Sequence, residues 1–236
     1  MTPDASTQTL QVKDFALDSA RFILERARES ITARGLFRLA LAGGETPAAV
    51  YAKLAEIIGD LPLQKVQITF GDERCVTPDH EHSNYRMANE SLLSRVPLPA
   101  GNVFRMRGEI DPVEAALEYE SKLAAVAARL GEARYVHDLI LLGMGADGHT
   151  ASLFPGSPAL NEMTRNIIPA TGPKPPPQRL TMTFLLLNAA REVCFLIADP
   201  SQKPVLQEVL AGNPIYPASL VRPSAGRLTW IMGTPA

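Results

Sequence analysis

An acid and an imidazole stand two residues apart, Asp147 and His149, in the stretch Gly143-Met144-Gly145-Ala146-Asp147-Gly148-His149-Thr150. They follow Leu139-Ile140-Leu141-Leu142, a short apolar run that reads as a buried strand ending in a Gly-Met-Gly turn. In an α/β sheet the loop beyond a strand's carboxyl end is where ligands and chemistry collect. A histidine there titrates near neutral pH and can act as a base. The plainer alternative is a glycine turn with a solvated acid and a capping histidine.

Two more segments have the same form. Gly71-Asp72-Glu73-Arg74 follows the apolar run Val66–Phe70. Three successive charges after a buried strand are unusual for packing alone. The donor fork of Arg74 suits phosphate or carboxylate, with Asp72 and Glu73 able to orient it or His149. The alternative is a surface ion-pair cluster of little worth. Gly43-Gly44-Glu45-Thr46 follows the run Phe37–Ala42 and precedes a helix starting at Pro47, with Thr46 as its N-cap. Backbone N–H groups and the helix dipole make such a turn a phosphate cradle. It lacks the lysine of a P-loop and the glycine spacing of a dinucleotide fingerprint, and Glu45 opposes an anion unless it points away. Further on, Pro169–Pro177 ends in three consecutive prolines, an extended stretch that would hold Lys174 and Arg179 beside the sheet.

Asp79-His80-Glu81-His82 invites a zinc site, but an i,i+2 histidine pair in a loop lacks the spacing of the stronger metal motifs. A solvated loop is the better reading. His137, just before a strand, reads as structural. Cys75 and Cys194 have no metal-type spacing and read as ordinary packing.

The elements needed to position these groups alternate along the chain. Helices are expected over 14–34 (closed by Gly35), 47–58, 84–94, 112–130 (capped by Asp111) and 201–210 (closed by Gly212). Strands are expected over 37–42, 66–70, 139–142, 180–186, 193–198 and 228–232, while Met1–Gln11 reads as a polar terminus. This order predicts an α/β fold: a largely parallel, Rossmann-like doubly wound sheet with helices on both faces.

Composition sets outer limits. A chain of 236 residues with 46% hydrophobic content builds a substantial core. A formal net charge of -2 provides no bulk basic field for nucleic acid, so an anionic ligand needs local cations. Two cysteines fit a reducing compartment. No apolar run approaches the roughly 18 residues that span a bilayer. No membrane association and a cytoplasmic location are expected.

Taken together, Ala42–Pro47, Gly71–Val76 with Ser83-Asn84-Tyr85-Arg86, and Gly143–Gly156 (carrying Asp-Gly-His-Thr-Ala-Ser-Leu-Phe-Pro) resemble the 6-phosphogluconolactonase family, as do Lys174–Thr181 and Pro217–Val221. The blocks span nearly the whole chain in the family's order, which implies a single domain over residues 1–236. Related glucosamine-6-phosphate deaminases read Asp-Glu-Tyr in place of Asp72-Glu73-Arg74, and have a glutamate within the Gly148–Pro155 block that this chain lacks. That favours the lactonase over an amino-sugar isomerase or deaminase.

The resemblance implies hydrolysis of 6-phospho-D-glucono-1,5-lactone to 6-phosphogluconate. It casts His149 as general base and Asp147 as the group that orients it or holds its charge. Asp72 joins the catalytic set. Arg74 either stabilises the oxyanion or binds phosphate. Gly43, Gly44 and Thr46, with Lys174, Arg179 and Lys203, form the phosphate clamp. A reactive lactone needs neither metal nor cofactor. The link to glucose-6-phosphate dehydrogenase is through a shared metabolite, with no physical contact implied. A non-catalytic sugar-phosphate binder is the alternative from another class; it could dispense with the base, and both Asp147 and His149 are present here.

Overall fold

The computed structural model describes residues 6–198 and 203–233. Six strands form one sheet in the order β1-β9-β8-β5-β2-β3, with every neighbouring pair parallel. They are β1 (Ser6–Val12), β2 (Phe37–Leu41), β3 (Val66–Phe70), β5 (Leu139–Leu142), β8 (Glu192–Ile197) and β9 (Arg227–Gly233). A second sheet of three antiparallel strands runs in the order β4-β7-β6, from β4 (Asp72–Arg74), β6 (Ile167–Thr171) and β7 (Gln178–Met182).

The period-2 alternation of strands explains the layers. Leu139 and Leu141 of β5 belong to the core shared with α1 (Phe15–Arg34), α2 (Glu45–Ile57) and α3 (Asn84–Ser91). Ile140 and Leu142 belong to the core on the other side, with α4 (Pro112–Arg129), α6 (Lys203–Leu210) and the small sheet. There Phe195 and Trp230 stack with ring centroids 4.0 Å apart. The parallel, doubly covered sheet is the expected fold, because βαβ crossovers must place helices on its faces.

Several expectations need correction. Thr46 is not the cap of α2. The helix begins at Glu45, with Gly44 as N-cap and no side-chain capping bond. Gly44 has φ 106°, a turn glycine makes without strain, and its carbonyl takes the first helical bond from the Ala48 N–H. Pro47 is therefore the third helical residue, still among the positions without an intrahelical N–H partner. Residues 180–186 do not form one strand: β7 ends at Met182, and a short helix, α5 (Phe184–Leu187), follows. The helix expected over 84–94 closes at Ser91 and passes into a 3-10 turn at Leu93–Arg95. The polar terminus contains β1, an edge strand.

Candidate active site

The chain order β2→β3 steps outward to one side, whereas β5 lies on the other side of β2. The sheet's direction of growth therefore reverses between β2 and β5, and a crevice opens beyond their carboxyl ends. It is a cleft of about 230 Å³, lined by Ala42, Gly43 and Gly44 after β2, Asp72 and Arg74 of β4, and Gly143, Met144, Gly145 and His149 after β5. Five residues singled out in the sequence, Gly43, Gly44, Asp72, Arg74 and His149, thus meet on one surface.

His149 is positioned by its own loop. Gly145 N–H donates to the His149 carbonyl at 2.9 Å, and a side chain on Gly145 would collide with the imidazole. The His149 Nδ1 lies 2.5 Å from Asp147 Oδ1. Partial burial pushes the Asp147 carboxyl up, but the hydrogen bond and charge of His149 outweigh this and hold it below its usual value. An ionised carboxylate only accepts, so the bond assigns the ring proton to Nδ1 and leaves Nε2 as the acceptor. A base with its second nitrogen held by an acid is the arrangement that activates water or a hydroxyl.

The opposite wall is β4. Asp72 is buried and both of its carboxylate oxygens are taken: Asn84 Nδ2 donates to Oδ1 at 3.0 Å and Ser152 Oγ to Oδ2 at 2.7 Å. Asp72 thereby ties β4 to the start of α3 and to the loop that carries His149. Glu73 faces away and caps α3, accepting from the backbone N–H groups of Asn84 and Tyr85 at 2.7 and 2.8 Å. Burial raises its carboxyl above the usual range, against the lowering pull of those donors. The adjacent Cys75 thiol is pushed up to about 11, first by burial and then by Glu73, so it is a poor nucleophile at neutral pH.

Arg74 and Arg179 are direct cross-strand partners in the β4–β7 pair. Arg74 Nη1 donates to the His82 carbonyl at 2.7 Å, while its buried Nε has no partner. Arg179 Nε donates to the Pro176 carbonyl at 2.8 Å and Nη2 to the Lys174 carbonyl at 3.3 Å. Burial, and then the charge of Arg74, lower the Arg179 guanidinium from its usual value. Two cations directly opposite on a sheet repel one another unless an anion lies between them.

Thr46, Lys174 and Arg179 do not line the cleft itself. Lys174 is exposed, on the loop that Arg179 braces. Glu45 is exposed in the first turn of α2, where a carboxylate complements the helix dipole. The side chain of Lys203 lies outside the described residues, as do 199–202. His80 and His82 pack on each other in an exposed loop, ring centroids 5.4 Å apart. Among the described residues no group of three or more His, Cys, Asp or Glu could hold a metal. His137 is fully buried against Thr69 at 2.9 Å. Asn84, Ser152 and Phe154 stand within the sequence blocks quoted above, but the sequence assigned none of them a role. Ser83-Asn84 did carry a helix-start signal, but neither of the other two sits at a readable spacing from the group it contacts.

A family model described as glucosamine-6-phosphate isomerases/6-phosphogluconolactonase matches residues 11–230. The 6-phosphogluconolactonase of Homo sapiens is 38% identical over 225 residues, covering 92% of this chain and 86% of that protein. The 6-phosphogluconolactonase of Synechocystis sp. is 40% identical over 218 residues, covering 91% and 89%. The crystal structure of 6-phosphogluconolactonase from Thermotoga maritima superposes with a TM-score of 0.84 at 31% identity, covering 97% of this chain and all of that one. With the family model matching nearly the whole chain and relatives of 38% and 40% identity covering over nine-tenths of it, this chain belongs to the glucosamine-6-phosphate isomerase/6-phosphogluconolactonase family.

Proposed function

We propose that this chain is a lactone hydrolase that opens 6-phospho-D-glucono-1,5-lactone to 6-phosphogluconate in the pentose phosphate pathway. The observation that carries this reading is the Asp147–His149 pair on a cleft whose far wall presents Arg74, cross-strand partner of Arg179. The relatives named as 6-phosphogluconolactonases support the same substrate. His149 Nε2 takes a proton from water as the oxygen attacks the lactone carbonyl. The imidazolium, stabilised by Asp147, then returns a proton to the ring oxygen as the C–O bond breaks.

Of the two roles the sequence leaves open for Arg74, its pairing with Arg179 favours phosphate binding. The two guanidiniums, with the Gly43–Thr46 backbone, form the phosphate clamp, and Lys174 and Lys203 add charge around it. Asp72 positions the walls rather than the reacting atoms, since both of its oxygens are engaged. We further propose that residues 1–236 act as one unit in the cytoplasm, coupled to glucose-6-phosphate dehydrogenase only by a shared metabolite. Both cysteines are free thiols, and no described helix is long and apolar enough to cross a membrane.

The test is hydrolysis of freshly generated phosphorylated lactone, with the spontaneous rate subtracted, beside unphosphorylated gluconolactone and glucosamine 6-phosphate. Rapid turnover of the first alone is expected. Turnover of the amino sugar without lactone hydrolysis would overturn the assignment.

A further inference from the structure

The imidazole of His149 is held on more sides than its bond to Asp147. Its ring lies against the Phe154 ring with centroids 4.5 Å apart and planes 34° apart. Phe154 also lies against Gly172. A Cβ built on Gly172 would sit 3.2 Å from both Cε2 and Cζ of Phe154 and 3.4 Å from Nε of Arg179. Gly172 N–H donates to the Pro177 carbonyl at 2.7 Å, closing the loop whose Lys174 and Pro176 carbonyls Arg179 grips. His149, Phe154, Gly172 and Arg179 therefore stand in one contiguous row, running from the base to the anion-binding arm. Phe154 and Gly172 also wall a groove of about 630 Å³. Phe154 itself is buried, and His149 and Gly172 are among the groups packed on it.

We propose that Phe154 is a positioning residue that fixes the plane of the His149 imidazole and, through Gly172, makes that plane depend on where Arg179 sits. The proposal rests on the lactonase reading for its kinetic consequence. An Arg179 that exchanges a loop carbonyl for a substrate phosphate shifts the loop, and the loop abuts Phe154 with no side chain between them. A phosphorylated lactone then aligns the base as it binds, whereas an unphosphorylated one does not.

The test uses four variants of the full chain: Phe154→Leu, Phe154→Tyr, Gly172→Ala, and Gly172→Ala combined with Phe154→Leu. Phe154→Leu should lower kcat on the phosphorylated lactone by roughly ten- to a hundredfold, the penalty for misplacing a reacting group by about an ångström, while KM stays near wild type. Phe154→Tyr keeps the ring and should restore kcat. Gly172→Ala pushes on the phenyl ring and should lower kcat in the wild-type background but have little further effect beside Phe154→Leu, a non-additivity expected of groups in contact.

The His149 ring resonances, followed by NMR through a pH titration without substrate, supply a readout independent of turnover. Phe154→Leu should remove the ring-current shift and move the titration midpoint, and Gly172→Ala should move it too. Should Phe154→Leu fail to fold, Phe154→Tyr and Gly172→Ala decide the matter. Unchanged kcat together with an unmoved His149 titration in folded Gly172→Ala overturns the proposal. Wild-type protein without lactonase activity but with these NMR effects overturns only the lactonase reading.

Discussion

A hydrogen bond only 2.5 Å long fixes which nitrogen of His149 can work. If Nε2 is the base, His149→Ala should remove about 10²–10⁴-fold of kcat, with thermal unfolding close to wild type because the ring is partly exposed at the cleft. Near wild-type kcat above the spontaneous background would end the assignment. Asp147→Asn is the finer probe. An amide presents both a donor and an acceptor, so the preference for a proton on Nδ1 is lost and kcat should fall while KM holds.

The arginine pair makes a different prediction at the same scale. If Arg74 and Arg179 share the phosphate, replacing Arg74 with Ala should raise KM for the phosphorylated lactone by roughly ten- to a hundredfold, the worth of one charge-assisted contact of ~1.5–3 kcal/mol. Hydrolysis of unphosphorylated gluconolactone should hardly change. Loss of kcat at constant KM would instead place Arg74 on the oxyanion.

At the scale of elements, what mattered was how the loops are held. Gly145 comes so close to His149 and Asp147 that any side chain there must displace the pair. Gly145→Ala should therefore cost on the order of 10² in kcat with a much smaller change in melting temperature. A matched loss of fold and activity would show that the loop is structural instead. The strands ending in these loops were legible because, Arg38 apart, their residues are apolar on both faces: Phe37–Leu41 and Leu139–Leu142 are buried throughout. Of the three-stranded sheet only β7 was legible, and with shifted bounds. β4 is a triplet of charges, Asp72-Glu73-Arg74, which reads as a loop until its antiparallel partner Arg179-Leu180-Thr181 is known. β1 was hidden for a related reason. It is an edge strand, mostly exposed, and in Ser-Thr-Gln-Thr-Leu-Gln-Val only Leu10 and Val12 alternate as apolar residues, too short a pattern to mark a strand. The start of α2 was misread because a glycine at positive φ can open a helix with no side-chain cap. Of the residues singled out in the sequence, Gly43, Gly44, Asp72, Arg74 and His149 share the cleft, whereas Thr46, Lys174 and Arg179 do not line it; the contacts of Asn84, Ser152 and Phe154 are tertiary.

Across the whole molecule, chemistry and acid sensitivity are placed at opposite ends of the sheet. The cleft lies beyond the carboxyl ends of β2 and β5, while His137 precedes the amino end of β5, fully buried, with the Arg38 guanidinium nearby. Thr69 Oγ1 donates to the Leu39 carbonyl at 3.2 Å and so accepts from His137 Nε2–H at 2.9 Å, leaving Nδ1 buried without a partner. Burial, and then the charge of Arg38, push the His137 imidazole from 6.5 down to about 3. Below pH 6.5 the unfolded chain takes up a proton that the folded chain refuses, so this stability is complete above 6.5 and declines as the pH falls toward about 3. One such group gives a slope of up to about 1.4 kcal/mol per pH unit. His137→Gln keeps a donor for Thr69 and removes the titration. Urea midpoints measured at about pH 7.5 and about pH 5 should then separate less for His137→Gln than for wild type. Equal separation in the two proteins would mean that the acid response originates elsewhere. Since His137 touches neither the cleft nor its loops, kcat at neutral pH should be the same in both.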